Sequence, residues 1–88
     1  MQPMRYHGCQ FRMARAATRL STREICELAS MSMRTLGNVE AADEIEYGTK
    51  QAGRFSEDTI AKLVRVFEAR GVTFLPPNRQ GAGIRYSA

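Results

Sequence analysis

Histidine is almost missing from this 88-residue chain, which has His7 alone, and cysteine is limited to Cys9 and Cys26. So few bases and soft ligands leave no Ser/His/Asp arrangement and no Cys/His cluster with zinc spacing. His7-x-Cys9 is at most half a metal site without a second ligand pair, so neither metal nor cofactor is expected. The two thiols form no disulfide framework and are expected to stay reduced. Cys26, between Ile25 and Glu27 on a helical pattern, reads as a small buried hydrophobe. No Gly-rich phosphate loop follows a strand, and no carboxylate pair sits on a packed face. Glu24 and Glu27, or Asp43 and Glu44, fit capping and solvation, so the chain reads as a non-enzyme. No run approaches the ~18 apolar residues of a membrane span, and residues 1–7 lack an apolar targeting core. A cytoplasmic location without membrane contact is the expectation. There is no internal repeat and no linker, so residues 1–88 read as one domain.

Lysine is scarce as well: Lys50 and Lys62 stand against 11 arginines. Arginine suits bidentate contacts to phosphate or guanine, though a GC-rich genome gives the same bias. Thirteen cations against nine acids give +4 and a pI near 9.6. The sign is uneven. Residues 1–40 and 59–88 are basic, whereas 41–58 carry five acids and two bases. With 43% hydrophobic and 25% charged residues, the chain has the composition of a folded domain, not of collagen or a disordered tail. A basic domain this small points toward a polyanionic partner.

Residues 9–19 favour helix, with Phe11, Ala14, Arg15 and Thr18 on one face. Leu20-Ser21 interrupts it. Ser21 and Glu24 make an S-x-x-E capping box for a second helix over 22–29, which turns Ile25, Leu28 and Ala29 inward. Residues 30–32 allow only a tight turn, and Ser32 caps a third helix reaching about residue 42. Its inner stripe is Thr35, Leu36 and Val39, and its outer stripe is Met33, Arg34, Gly37, Asn38 and Ala41. Residues 43–55 have no sustained period and read as a long loop. A fourth helix spans 56–70, with apolar Ile60, Leu63, Val64 and Phe67 and with Gly71 as its C′ residue. Two β-type runs, 72–75 and 84–86, then suggest a hairpin around a wide Gly/Pro loop, with Phe74 and Tyr86 on alternating faces.

Two short helices, a three-residue turn and a polar outer face on the second helix are the plan of a helix-turn-helix. A helix about 10–12 Å wide fits the major groove of B-DNA, and helix N-termini offer N–H groups to phosphate. From here the sequence resembles the XRE family of Cro- and CI-like phage-repressor regulators. The family's pattern LSxxELAxxAxVSxxTIxxxE is met by Leu20, Ser21, Glu24, Ile25, Ala29, Ser32, Thr35, Leu36 and Glu40. The tail, from Ala69 to Asn78 and from Gly81 to Arg85, also resembles the C-terminal segment of a bacterial subset of these proteins.

The resemblance implies a mainly α, lambda-repressor-like domain of four helices with a C-terminal β-hairpin. It implies a sequence-specific transcriptional regulator, repressor or activator, bound to double-stranded DNA near the nucleoid. Met33, Arg34 and Asn38 are then the base-contacting residues: Arg34 for guanine, Asn38 for adenine and Met33 for a thymine methyl. Backbone contacts fall to Thr22, Arg23, Ser32 and Gly37, with Arg12, Arg19 and Arg54 as candidate phosphate clamps. Thr22 departs from the family's usual glutamine, and Ser30 replaces a glycine at a turn position of positive φ. Gly37 has two readings, close approach to DNA or simple tolerance. Arg15 and Glu40 occupy positions that the family often joins in a partly buried ion pair.

One recognition helix reads about four base pairs, so a homodimer on a palindrome is expected. The hairpin residues Val72, Phe74, Ile84 and Tyr86 have three possible uses: closing the core, building a dimer sheet, or, with Arg79 and Arg85, forming a wing on DNA. The acidic segment 43–46 is a solvated loop or a contact for RNA polymerase or another protein. A protein-interaction module on the same fold, such as an antitoxin or anti-regulator with DNA binding secondary, is the alternative function.

Overall fold

A computed structural model describes residues 4–47 and 57–87. In chain order these form β1 (Met4–Tyr6), α1 (Gly8–Thr18), α2 (Thr22–Ala29), α3 (Met33–Ala41), β2 (Ile45–Tyr47), α4 (Glu57–Glu68), β3 (Val72–Asn78) and β4 (Gly81–Tyr86). The molecule is small and mostly helical, with four helices and a C-terminal antiparallel hairpin. No helix among the described residues is long and apolar enough to cross a membrane.

The first three helices begin where local hydrogen bonding dictates. At α1, the His7 N–H donates to Gln10 Oε1 at 2.8 Å. At α2, Ser21 and Glu24 exchange hydrogen bonds of 3.0 and 3.1 Å. At α3, Ser32 Oγ accepts from the Thr35 N–H at 3.1 Å. Each bond satisfies a main-chain donor that a helix start would leave unpaired. At the end of α4, Gly71 takes φ +93°, a left-handed conformation that glycine adopts without strain.

The expectation of a featureless loop over 43–55 is corrected at its start. Ile45–Tyr47 is a strand paired antiparallel with Met4–Tyr6, with Tyr6 opposite Ile45. Both of those side chains are buried. Three residues are too few to show a period, and the pairing joins segments far apart in sequence. Residues 48–55 lie outside the described residues.

The hairpin also differs from expectation. Its strands run on through Pro76 and Pro77 to Asn78 and Gly81, leaving a tight turn at Arg79 and Gln80 where a wide loop was expected. Asn78 Oδ1 accepts from the Gln80 N–H at 2.8 Å, and Gly81 supplies φ +107°. An irregularity between Leu75 and Asn78 takes up the two prolines. Val72 pairs with Tyr86 and Phe74 with Ile84, so all four side chains share one face and do not alternate as expected. Val72 and Phe74 are buried in the core, whereas Tyr86 is 43% exposed.

Phe74 is the keystone of that core. Its ring lies 5.1 Å from Phe11, 5.6 Å from Tyr6 and 6.1 Å from Phe67, tying hairpin, α1, β1 and α4 together. Ile25, Leu36, Val39, Ile60 and Leu63 complete it. Leu28 does not join them: it is 49% exposed, and the small Cys26 holds the inward place instead. Cys26 and Ala29 are both buried.

Two residues with no obvious periodic role fix α1 in place. Gly8 donates its N–H to the Ala42 carbonyl at 2.9 Å, docking the start of α1 on the end of α3. Gln10 is fully buried, and its Nε2 donates to the carbonyls of Leu75 and Gly83, both at 2.8 Å. With Oε1 bonded to His7, this buried amide has no unmet partner and locks α1 under the hairpin.

Candidate nucleic-acid interface

The segment from Ser21 to Ala41 is built from the turn outward. Ser30 sits in the left-handed region with φ 54° and ψ 53°, at a cost for a non-glycine residue of about 1 kcal/mol. In return its N–H reaches the Cys26 carbonyl, to which Met31 N–H also donates at 3.0 Å. The chain then reverses into Ser32, whose extended backbone and hydroxyl start α3. Ser32 Oγ lies 3.0 Å from Thr35 Oγ1 as well. Helix α3 buries Leu36, Val39 and Glu40, while its opposite face is exposed.

On that open face Met33 is 55% exposed, and Arg34, Gly37, Asn38 and Ala41 are exposed too. Arg34 and Asn38 are one turn apart, the spacing that puts two side chains on one helix face. The Met33 thioether is steadied by the Cys26 thiol, which donates to Sδ at 3.5 Å. Burial pushes the Cys26 thiol above its ordinary pKa, with the Glu40 carboxylate adding to the effect, so it remains a protonated donor near neutrality. Ser32 is exposed at the head of α3, and Arg23 is exposed in the first turn of α2 beside half-buried Thr22. Arg19, exposed, closes α1 with φ 60°.

Ser21's hydrogen bonds hold the Glu24 carboxyl below its ordinary range, and the Arg70 charge assists. A depressed carboxyl pKa stabilises the fold above the ordinary carboxylate range. That contribution is lost as pH falls through the depressed value. The capping box at the head of α2 therefore operates at neutral pH.

Arg12 stands apart from the other proposed clamps. Its guanidinium donates to the Glu40 carbonyl, at the far end of α3 from Ser32. Arg54 lies outside the described residues. Arg15 and Glu40 form a bidentate pair, Nε to Oε2 at 2.9 Å and Nη2 to Oε1 at 3.1 Å. Hydrogen bonding to Glu40 raises the Arg15 pKa above its already high value. Arg5 bridges to Glu44 at 3.3 Å, and with both side chains more than half exposed that pair contributes little. Among the described residues, no group of three His, Cys, Asp or Glu side chains is placed to hold a metal ion. Sequence reasoning passed over Gln10 and Gly8, whose partners are remote in sequence. Arg70 reads from sequence as the basic residue in the last turn of the fourth helix, but nothing local announces that its charge acts on Glu24 at the head of α2.

A methyl group added at Gly37 would meet nothing within 4 Å. Gly37→Ala is therefore expected to stabilise α3 by about 0.5–1 kcal/mol, because alanine is the better helix former. A urea melt checks this. If Gly37 lies against DNA, the same variant loses DNA affinity while gaining stability; unchanged affinity assigns the glycine to simple tolerance.

No protein-family model matches the sequence, and no curated protein matches it.

Proposed function

We propose that this chain is a sequence-specific DNA-binding transcriptional regulator of the XRE helix-turn-helix type, a homodimer that lays α3 in the major groove of a palindromic site. The observation that carries this reading is the α2–turn–α3 unit. Its turn is held in the left-handed conformation by Ser30, and the outer face of α3 presents Met33, Arg34 and Asn38, which among the described residues have no core partner beyond the Cys26 thiol. In this reading Arg34 pairs with guanine O6 and N7, Asn38 with adenine N6 and N7, and Met33 packs on a thymine methyl. Ser32, Thr22 and the free N–H groups of both helix starts take phosphates, with Arg23 and Arg19 adding charge. Arg12, engaged at the C-terminal end of α3, plays no part. Two half-sites about 34 Å apart follow from twofold symmetry.

Selection of bound duplexes from a random library tests the function. Wild type is expected to enrich a palindrome. Arg34→Ala and Asn38→Ala should each relax one position per half-site, at a cost of about 1–3 kcal/mol in discrimination. Enrichment of no sequence would favour the protein-interaction module instead.

A further inference from the structure

The hairpin has one strand edge suited to another strand. Ser87 donates its N–H to the Gly71 carbonyl at 2.8 Å, which turns the Ser87 main chain toward β3. Given the register from Val72↔Tyr86 to Leu75↔Gly83, the alternation of an antiparallel ladder turns the main-chain groups of Gly83 and Arg85 toward β3. Those of Ala82, Ile84 and Tyr86 point away, along the outer edge of β4. Among the described residues no main-chain hydrogen bond takes them up, and no third strand joins the hairpin. The β3 edge is different, because Pro76 and Pro77 have no N–H to offer. Gln10 reaches the carbonyls of both Leu75 and Gly83, which anchors α1 to the two strands of the hairpin.

We propose that a second copy of this chain pairs antiparallel along β4, about a twofold axis at Ile84, to form one sheet across two protomers. The proposal rests on the homodimer part of the function above and is independent of DNA recognition. The sequence of β4 is self-complementary in this register. Ile84 meets the partner's Ile84, Tyr86 meets the partner's Ala82, and Arg85 meets the partner's Gly83. Tyr86 and Arg85 face small residues, the two isoleucines face each other, and no cation faces a cation. Moving the axis to Arg85 would set that charge against itself, which cross-strand pairing disfavours. Moving it to Gly83 would carry Tyr86 past the strand to the partner's Gln80 in the turn. Ile84 and the exposed Tyr86 share a face with Val72 and Phe74, so the pairing also extends the apolar side of the sheet.

The test uses the DNA-free protein, followed by analytical ultracentrifugation and by amide hydrogen exchange across a concentration series. A dimer is expected, with Ile84 and Tyr86 amides protected only as it forms and Gly83 and Arg85 amides protected throughout. A methyl group at Gly83 meets nothing within 4 Å, so substitutions there leave the protomer intact. Gly83→Lys, facing the partner's Arg85 twice per dimer, should raise the dissociation constant roughly tenfold, and Gly83→Glu should lower it. A melt of each variant confirms its fold. A monomer at all concentrations, a dimer whose Ile84 and Tyr86 amides exchange freely, or indifference to charge at position 83 would overturn the edge pairing. A monomer that still enriches a DNA sequence removes this proposal and leaves DNA reading intact. A dimer with protected Ile84 that enriches no sequence does the reverse.

Discussion

Gly8→Ala is expected to destabilise this protein severely. The new Cβ would lie 2.4 Å from the Ala42 carbonyl oxygen, 2.5 Å from that of Val39 and 2.6 Å from that of Glu40. All three are main-chain atoms at the end of α3, so no side chain can swing aside to relieve the contact. The start of α1 must then move off α3, breaking the Gly8–Ala42 hydrogen bond and disturbing the adjoining β1–β2 pair. Overpacking of this kind costs about 1–3 kcal/mol where neighbours can shift, and more where they are backbone. A loss of about 4 kcal/mol is expected, a large part of the 5–15 kcal/mol that separates most native states from unfolded ones. Thermal melts by circular dichroism should show Gly8→Ala largely unfolded at 37 °C, while Gly37→Ala, at an open position, melts at or above wild type. A Gly8→Ala protein within about 1 kcal/mol of wild type would refute the close approach.

Arg15→Ala ranks second. The Glu40 side chain is 12% exposed and the Arg15 side chain 34%. Truncating Arg15 strands a carboxylate with little access to water, whereas truncating Glu40 leaves a guanidinium that still reaches solvent. Breaking a fully buried pair costs about 3–5 kcal/mol, and partial exposure reduces that. Arg15→Ala is expected to cost about 3 kcal/mol and Glu40→Ala about 2 kcal/mol. A double variant should cost clearly less than their sum, because each single change already removes the pair. Urea melts of the three proteins, analysed as a cycle, measure the coupling. Additive losses, or single losses under about 0.6 kcal/mol, would show that the pair adds nothing to stability.

How legible each feature was in the sequence follows from how local its cause is. The Ser21/Glu24 box and the Ser32 cap operate over three residues, so the starts of α2 and α3 were plain to read. The stripes of α3 follow from the helical period, whereas the positive φ at Ser30 is implied by family resemblance. The Arg15–Glu40 contact, 25 residues apart, came from family resemblance and not from spacing. Gln10 bonds residues 65 and 73 positions away, and nothing in a buried amide's neighbours announces such partners. The same holds for Gly8, whose need for glycine comes from another helix, and for β1 and β2, which exist only by pairing with each other. Cys26 and Leu28 lie on opposite flanks of the Ile25/Ala29 face, and the period of an eight-residue helix does not decide which flank is buried. Pro76 and Pro77 suggest a loop by composition, yet prolines are tolerated in a strand where no ladder N–H is required.

The central claim is that the outer face of α3 meets DNA, and amide chemical-shift mapping tests it without knowledge of the preferred site. Duplex DNA of arbitrary sequence is titrated at low salt into isotopically labelled protein, because non-specific and specific binding use the same phosphate-contacting groups. Shifts should centre on Thr22, Arg23 and the run from Ser32 to Asn38, and should fade steeply as salt is raised, while Asp58 and Lys62 on α4 stay still. Shifts centred on the hairpin or on α4, or none at low salt, would contradict the account.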